Sequence, residues 1–208
     1  MKKNPFPHAM RVGLTGGIAS GKSVVAEILQ KHWPVIDLDK VGQDLLERDP
    51  DLKAQYLRIL SGNPQAALDS AQKRALFFAH PERREQIEAL LHPAIWKEFQ
   101  IQCGRLSPEV PLVVCEAALL VEANLHREMD KLCVVYASPI LRHERLMTRD
   151  HITAQLASQM VQSQRGDTRS YAHYVLPNEG SLQELHQHAL ALVRKLQKEL
   201  SQSTERKA

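Results

Sequence analysis

An octapeptide near the start of the chain, Gly16-Gly17-Ile18-Ala19-Ser20-Gly21-Lys22-Ser23, fits the pattern G-x-x-x-x-G-K-[ST] and constrains the fold more than any other stretch. Its surroundings give the pattern weight. It follows the apolar Val12-Gly13-Leu14 and opens the amphipathic Val24-Val25-Ala26-Glu27-Ile28-Leu29, which predicts strand, loop and helix in that order. A loop that binds polyphosphate needs several backbone N–H groups aimed inward, and side chains at Gly16, Gly17 and Gly21 would obstruct that approach. The helix behind the loop turns the positive end of its dipole toward the same anion. Lys22 then supplies a mobile charge for the β and γ phosphates, and the Ser23 hydroxyl is placed to ligate a magnesium ion bridging them. The expected nucleotide-binding set is therefore Gly16, Gly17, Ile18, Ala19, Ser20, Gly21, Lys22, Ser23 and Val24, with ATP and magnesium as cofactors. A purely structural glycine-rich turn explains the glycines but not Lys22-Ser23 after them.

Bulk properties narrow the class. The 208 residues are 43 % hydrophobic, enough to bury a full core as one domain with a lobe inserted in it. The net charge of +3 is small and the basic residues form no block or aromatic-interleaved stripe, so a phosphorylated small molecule is a better partner than nucleic acid. Cys103, Cys115 and Cys133 are an odd set without C-x-x-C spacing, and they read as reduced core thiols of a cytoplasmic protein. Residues 1–9 contain no apolar run long enough for a signal peptide or membrane span and are expected to form a loose arm.

Pro34 should end the first helix near His32-Trp33 and restart the chain as a short strand, Val35-Ile36-Asp37. Asp37 and Asp39 are two apart on extended backbone and share a side, and strand C-terminal ends in an open parallel sheet converge on the ligand crevice. Asp39 is thus a candidate catalytic carboxylate, the competing reading being a cap on a helix Lys40–Glu47. From Asp49 to Cys103, Leu52, Tyr56, Leu57 and Leu60, then Leu76, Phe77, Ile87, Leu90 and Leu91, recur at helical spacing with a break at Gly62-Asn63-Pro64. This predicts a helical lobe, about 49–105, of the kind a kinase uses to hold its acceptor. His92-Pro93 is expected to start a further helix with proline first, and His92 itself reads as a cap or a core hydrogen bond.

Pro111–Glu116 is a continuous apolar run ending in a carboxylate, as in a strand buried on both faces. Glu116 then reaches the crevice, either to hold magnesium or its waters or to form a structural ion pair. A short helix is expected over Ala117–Leu125, with Glu122 facing either solvent or the cleft, followed by a buried strand Leu132–Tyr136. A helix Ile140–Arg149 carries Arg142, Arg145 and Arg149, of which Arg145 and Arg149 are four apart and share a face. The polar stretch that follows, about 150–170 with Gln159, Gln162, Gln164, Arg165 and Arg169, reads as a hinged lid whose arginines close over transferring phosphate. Tyr174-Val175-Leu176 makes a last strand, Ser181 caps the helix Leu182–Leu196, and residues 199–208 should fray.

These residues together are similar to one family: from Met10 to about Lys198 the chain resembles dephospho-coenzyme A kinase. Leu14-Thr15-Gly16-Gly17-Ile18, Val35-Ile36-Asp37-Leu38-Asp39, Leu91-His92-Pro93-Ala94-Ile95, Leu119-Leu120-Val121-Glu122 and Asn178-Glu179-Gly180 occur in the family's order and near its spacing. The resemblance implies an α/β fold, a doubly wound parallel-sheet P-loop kinase core over 10–198 with an inserted helical substrate-binding domain and a lid. It implies transfer of the γ-phosphoryl of ATP to the ribose 3′-hydroxyl of dephospho-CoA by a monomer or weak homo-oligomer, with Ser23 and Glu116 on the metal. Asp39 matches the family's catalytic aspartate, which orients the acceptor hydroxyl and takes its proton. Lys22, magnesium and the arginines Arg145 and Arg149 then stabilise the phosphoryl charge. Asp37, Asp39, His92, Leu119 and Glu122 fall to substrate binding.

The chain also departs from the family. Ala19 replaces the usual third glycine, Val24 the threonine after Ser23, Glu116 an aspartate and Ala118 a proline. Asp69-Ser70 stands for an Asn-Arg pair, Ala172-His173 for Ala-Asp, and the lid is about two residues short. Two rival readings are another small-molecule hydroxyl kinase, such as a shikimate-kinase-like enzyme, and a nucleotide-binding homologue with impaired catalysis.

Overall fold

The computed structural model describes residues 9–164 and 166–205, the last three as backbone only. Most of the expected arm (1–8), Arg165 of the expected lid and 206–208 of the expected tail lie outside the described residues. The chain runs β1 (Met10–Gly16), α1 (Lys22–Gln30), β2 (Val35–Asp37), α2 (Leu38–Arg48), α3 (Pro50–Ser61), α4 (Ser70–Ala79), α5 (Pro81–Gly104) and β3 (Leu112–Glu116). It continues through β4 (Lys131–Tyr136), α6 (Pro139–Asp150), α7 (Ala154–Ser163), β5 (Tyr174–Pro177) and α8 (Leu182–Glu205).

The five strands are parallel, in the order β2-β3-β1-β4-β5. Successive side chains of a strand point to opposite faces, and here both faces are covered. Leu112 and Val114 of β3 join Val12, Leu14, Val25, Leu29, Leu185 and Leu192 under α1 and α8. Val113 and Cys115 join Leu38, Val41, Phe99 and Cys103 under α2 and α5. That is why the sequence of β3 is apolar without alternation. Each such side chain taken from water contributes about 1.5–3 kcal/mol.

The topology fixes where a ligand sits. The chain leaves β1 toward one edge of the sheet and β3 toward the other, so the order reverses at the β1–β3 pair, and the crevice lies beyond the carboxyl ends of those strands. Leu14 pairs in register with Glu116, and Glu116 with Asp37, which brings the phosphate loop and both carboxylates to one level.

Several local expectations are corrected. Asp37 caps α2, its Oδ1 accepting from the N–H groups of Asp39 (2.9 Å) and Lys40 (3.1 Å), so Asp39 lies in the first turn rather than serving as the cap. The chain over 118–124 forms turns followed by a 3-10 turn, Leu125–Glu128, not a helix. Leu120 must drop into the core directly after the strand, and Asn124 adopts a left-handed φ of 56°, which a continuing helix forbids. The expected lid contains a helix, α7, with Ala157, Met160 and Val161 buried against Leu146. The expected fraying from 199 does not occur within the described residues: α8 runs to Glu205, and Leu196 and Leu200 extend its apolar stripe onto the sheet.

Two of the family departures have structural explanations. Asp69 is the N-cap of α4 in a reciprocal capping box with Gln72. His173 Nδ1 accepts the Leu132 N–H at 3.1 Å while the main-chain N–H of His173 donates to the Leu132 carbonyl at 2.8 Å, so the residue extends the β4–β5 ladder.

His92-Pro93 does not start a helix. Helix α5 passes through Pro93, which is exposed, while Ile87, Phe99 and Cys103 bury the turns on either side. An interior proline removes a donor and crowds the carbonyl four residues back. Pro93→Ala is therefore expected to stabilise the chain by about 1–3 kcal/mol in urea unfolding, whereas a neutral or negative effect would mean that a helix begins there.

Candidate active site

The phosphate loop is held from behind by the β5–α8 connection. Asn178, 3 % exposed, donates from Nδ2 to the Ser20 carbonyl at 2.7 Å and receives Arg145 on Oδ1 (3.3 Å) and on its own carbonyl (3.1 Å). Gly21 has φ +95°, and a Cβ there would lie 2.3 Å from Asn178 Nδ2. Ala19, in place of glycine, also takes a positive φ of 60°, at a cost of about 1–2 kcal/mol. The N–H groups of Lys22 and Ser23 at the head of α1 have no intrahelical acceptors, while Val24 donates to the Gly21 carbonyl at 3.1 Å. The Ser20 hydroxyl is buried without a partner among the described residues.

Lys22 Nζ lies 2.7 Å from Glu116 Oε1, with both side chains largely buried. Glu116 thus realises the ion pair that was one of its two readings, while still lining, with Ser23 and Asp37, a cavity of about 460 Å³. Those three residues offer hard oxygen donors on one wall.

A second cavity of about 350 Å³ lies under the helical lobe and the lid. It is lined by Ile18 of the loop, Asp39, Phe77, Phe78, Leu119 and Glu122 among others. Asp39 is open to this space yet ringed by protein. Desolvation therefore raises its pKa, opposed by the Lys22 charge and reinforced by the Asp37 charge. Burial also raises the pKa of Glu122, whose Oε2 has no partner among the described residues. The structure brings Asp39, Leu119 and Glu122 together on this cavity and leaves out His92, which is half-buried in α5 with its pKa lowered by burial. Asp37 faces the other cavity.

The arginines divide differently from the i, i+4 expectation. Arg145 reaches the loop, where its guanidinium also meets the Ala19 carbonyl at 3.5 Å. Arg149 is 61 % exposed and pairs with Asp150 at 2.7 Å. The missed residue is Arg142, three positions before Arg145 and on the same face of α6. It packs so tightly over Gly17 that a Cβ there would lie 2.0 Å from its guanidinium nitrogen. Its Nη1 donates to Gln164 Oε1 at 2.9 Å, its Nε is buried without a partner among the described residues, and burial lowers its pKa. A half-buried guanidinium facing a neutral amide is suited to an incoming anion.

Comparison with known proteins decides the family. The pattern described as dephospho-CoA kinase matches residues 10–184. The chain belongs to the dephospho-CoA kinase family. Its relatives include the dephospho-CoA kinases of Synechococcus sp. (33 % identical, covering 90 % of this chain and 98 % of the relative) and Xanthomonas axonopodis pv. citri (38 %, 87 % and 93 %). A crystal structure of a Thermus thermophilus protein superimposes with a TM-score of 0.72 at 30 % identity, over 91 % of this chain and 98 % of that one. The dephospho-CoA kinase of Campylobacter jejuni, at 22 % identity and TM-score 0.62 over 90 % and 97 %, shares the fold. The α/β P-loop kinase architecture of the family is thus the architecture of this chain.

The Lys22–Glu116 pair generates a measurable consequence for this family member. Lys22→Ala leaves a buried carboxylate unpaired and should cost about 3 kcal/mol of nucleotide-free stability, most of it recovered by adding Glu116→Gln. Equal stability of wild type and Lys22→Ala in urea would mean that the pair does not hold the site together.

Proposed function

We propose that this chain transfers the γ-phosphoryl of ATP to the ribose 3′-hydroxyl of dephospho-CoA, giving coenzyme A and ADP, the last step of coenzyme A formation. The observation that carries the residue roles is that Asp39 and the phosphate-loop residue Ile18 line the same cavity, so the base and the phosphate donor site open on one chamber. The cavity beneath α4 and α5 takes the acceptor, with Leu119 and Glu122 on its wall. Asp39 orients the acceptor hydroxyl and receives its proton as the bond to phosphorus forms. Lys22 leaves Glu116 for the β and γ phosphates, and Arg145 and Arg142 flank them. Arg149, exposed at the end of α6, is assigned to the phosphates as the lid closes.

Magnesium fits the donors present: Ser23, Glu116 and Asp37 are oxygen ligands on one cavity, and the ion is commonly held by one or two carboxylates together with substrate phosphates and water. Bound there it would neutralise charge on the β and γ phosphates. The chain's own part is to hold Ser23 at the head of α1 and Glu116 at the end of β3. The buried free thiols of Cys103, Cys115 and Cys133 support a reducing, cytoplasmic setting, and the family supports a small-molecule partner for a chain read as a monomer or weak homo-oligomer. Among the described residues no helix is long and apolar enough to cross a membrane.

Two expected outcomes test the base. Asp39→Asn should lower kcat by about 10²–10⁴ with nucleotide affinity within about twofold. Near-normal turnover in that variant would remove the assignment. The base works ionised and its pKa is raised, so wild-type kcat/KM for the acceptor should fall, as pH drops, at a higher pH than an ordinary aspartate gives. Stability has the opposite sign. A raised folded-state pKa means stability is lost as pH rises through it, so Asp39→Asn should melt higher than wild type near neutral pH, and the gain should vanish below the unfolded value of about 4.

A further inference from the structure

Gln164, at the end of α7, is used by nothing above, yet it touches two groups of the phosphate site. Its Oε1 accepts the Ile18 N–H at 2.6 Å and the Arg142 Nη1 at 2.9 Å. Both partners are donors, so only the amide oxygen can stand between them. One donor is a main-chain group of the phosphate loop, and the other is the half-buried arginine over Gly17, which has no carboxylate in contact among the described residues. That is the environment a nonbridging phosphate oxygen requires. The same end of the lid is packed onto the loop by Ile18 and Ala19, which lie against the cluster of Leu146, Ala157, Met160 and Val161.

We propose that Gln164 is a positioning residue that stands in for a phosphate oxygen: in the empty enzyme it satisfies the Ile18 N–H and Arg142, and nucleotide binding displaces it from both. The exchange is asymmetric. A phosphate oxygen bears charge and the amide oxygen does not, so the nucleotide wins the two donors, while the amide spares a half-buried guanidinium and a loop N–H from being unpaired in its absence. Departure of Gln164 also frees the end of α7, which links an occupied phosphate site to movement of the lid. The inference rests on the nucleotide-binding reading of the loop.

The test is calorimetric titration of the full chain, wild type, Gln164→Leu and Gln164→Glu, with ATP and separately with tripolyphosphate, each with magnesium. Leucine has nearly the same size and no acceptor, so nothing competes with phosphate, and both ligands should bind about three- to tenfold tighter. Glutamate keeps the acceptor, pairs with Arg142 as a full charge and repels phosphate, so both should bind tenfold or more weaker. Opposite shifts in two near-isosteric variants do not arise from general loosening of α7, which weakens binding in both. Wild-type binding with Gln164→Leu unchanged or weaker would overturn the inference alone. Absence of ATP binding by wild type would overturn it together with the nucleotide reading. An effect on ATP that is missing with tripolyphosphate would place the contact away from the phosphates and also sink it.

Discussion

The structure of this site depends on one buried amide. Asn178 donates to the Ser20 carbonyl, accepts Arg145, and is itself fixed by its N–H to the Tyr136 carbonyl at 2.7 Å. The phosphate loop, α6 and the ends of β4 and β5 therefore meet at a single side chain. A loop that presents N–H groups to an anion cannot fold back to satisfy them internally, so it needs support from outside. Each of these hydrogen bonds contributes about 1 kcal/mol net, but leaving a buried partner unpaired costs about 1–3 kcal/mol, which makes the cluster close to all-or-none.

Around that support, the site handles its cations in two ways. Lys22 is neutralised by a buried carboxylate, so in the proposed reaction it would leave for phosphate only because that anion offers several charges at once. Arg142 rests against a neutral amide and gives up little on leaving it. Asp39 experiences the opposite field, being desolvated and close to Asp37 with Lys22 as its main relief. A desolvated carboxylate, a paired lysine and an amide-bound arginine thus sit within one crevice at the β1–β3 reversal, and the sheet topology rather than any single contact puts them there.

Much of this was legible in the sequence where a residue type had one physical use. Lys22-Ser23 after glycines, the unbroken apolar run ending in Glu116, and the strand end at Asp37 each admit few structures, whereas Asp39, expected beside Asp37 on extended backbone, lies in the first turn of α2 and faces a different cavity. The motif residues also carried the family. What stayed hidden was settled by packing. Pro93 breaks helices as a local rule, yet buried neighbours on both sides carry α5 through it. The polar lid stretch concealed a helix because three buried residues suffice to seat it on the loop. Arg142 was passed over because i, i+4 spacing favoured Arg145 with Arg149, whereas the i, i+3 neighbour is the one turned toward Gly17, and no sequence pattern reports that choice. Asn178 was visible as part of a motif but its role as the loop's support was not.

The strand order has a consequence for how the protein comes into being. Strand β1 is made first and lies at the centre of the sheet, but Met10 pairs with Leu112 and Val12 with Lys131. At a synthesis rate of about 5–20 residues per second, the roughly 100 residues between β1 and β3 take about 5–20 s to appear. Throughout that interval β1 and the glycine-rich turn that follows it have no sheet to join. Asn178 emerges later still. The nucleotide pocket is therefore among the last features to form on a growing chain, although its sequence is among the first translated.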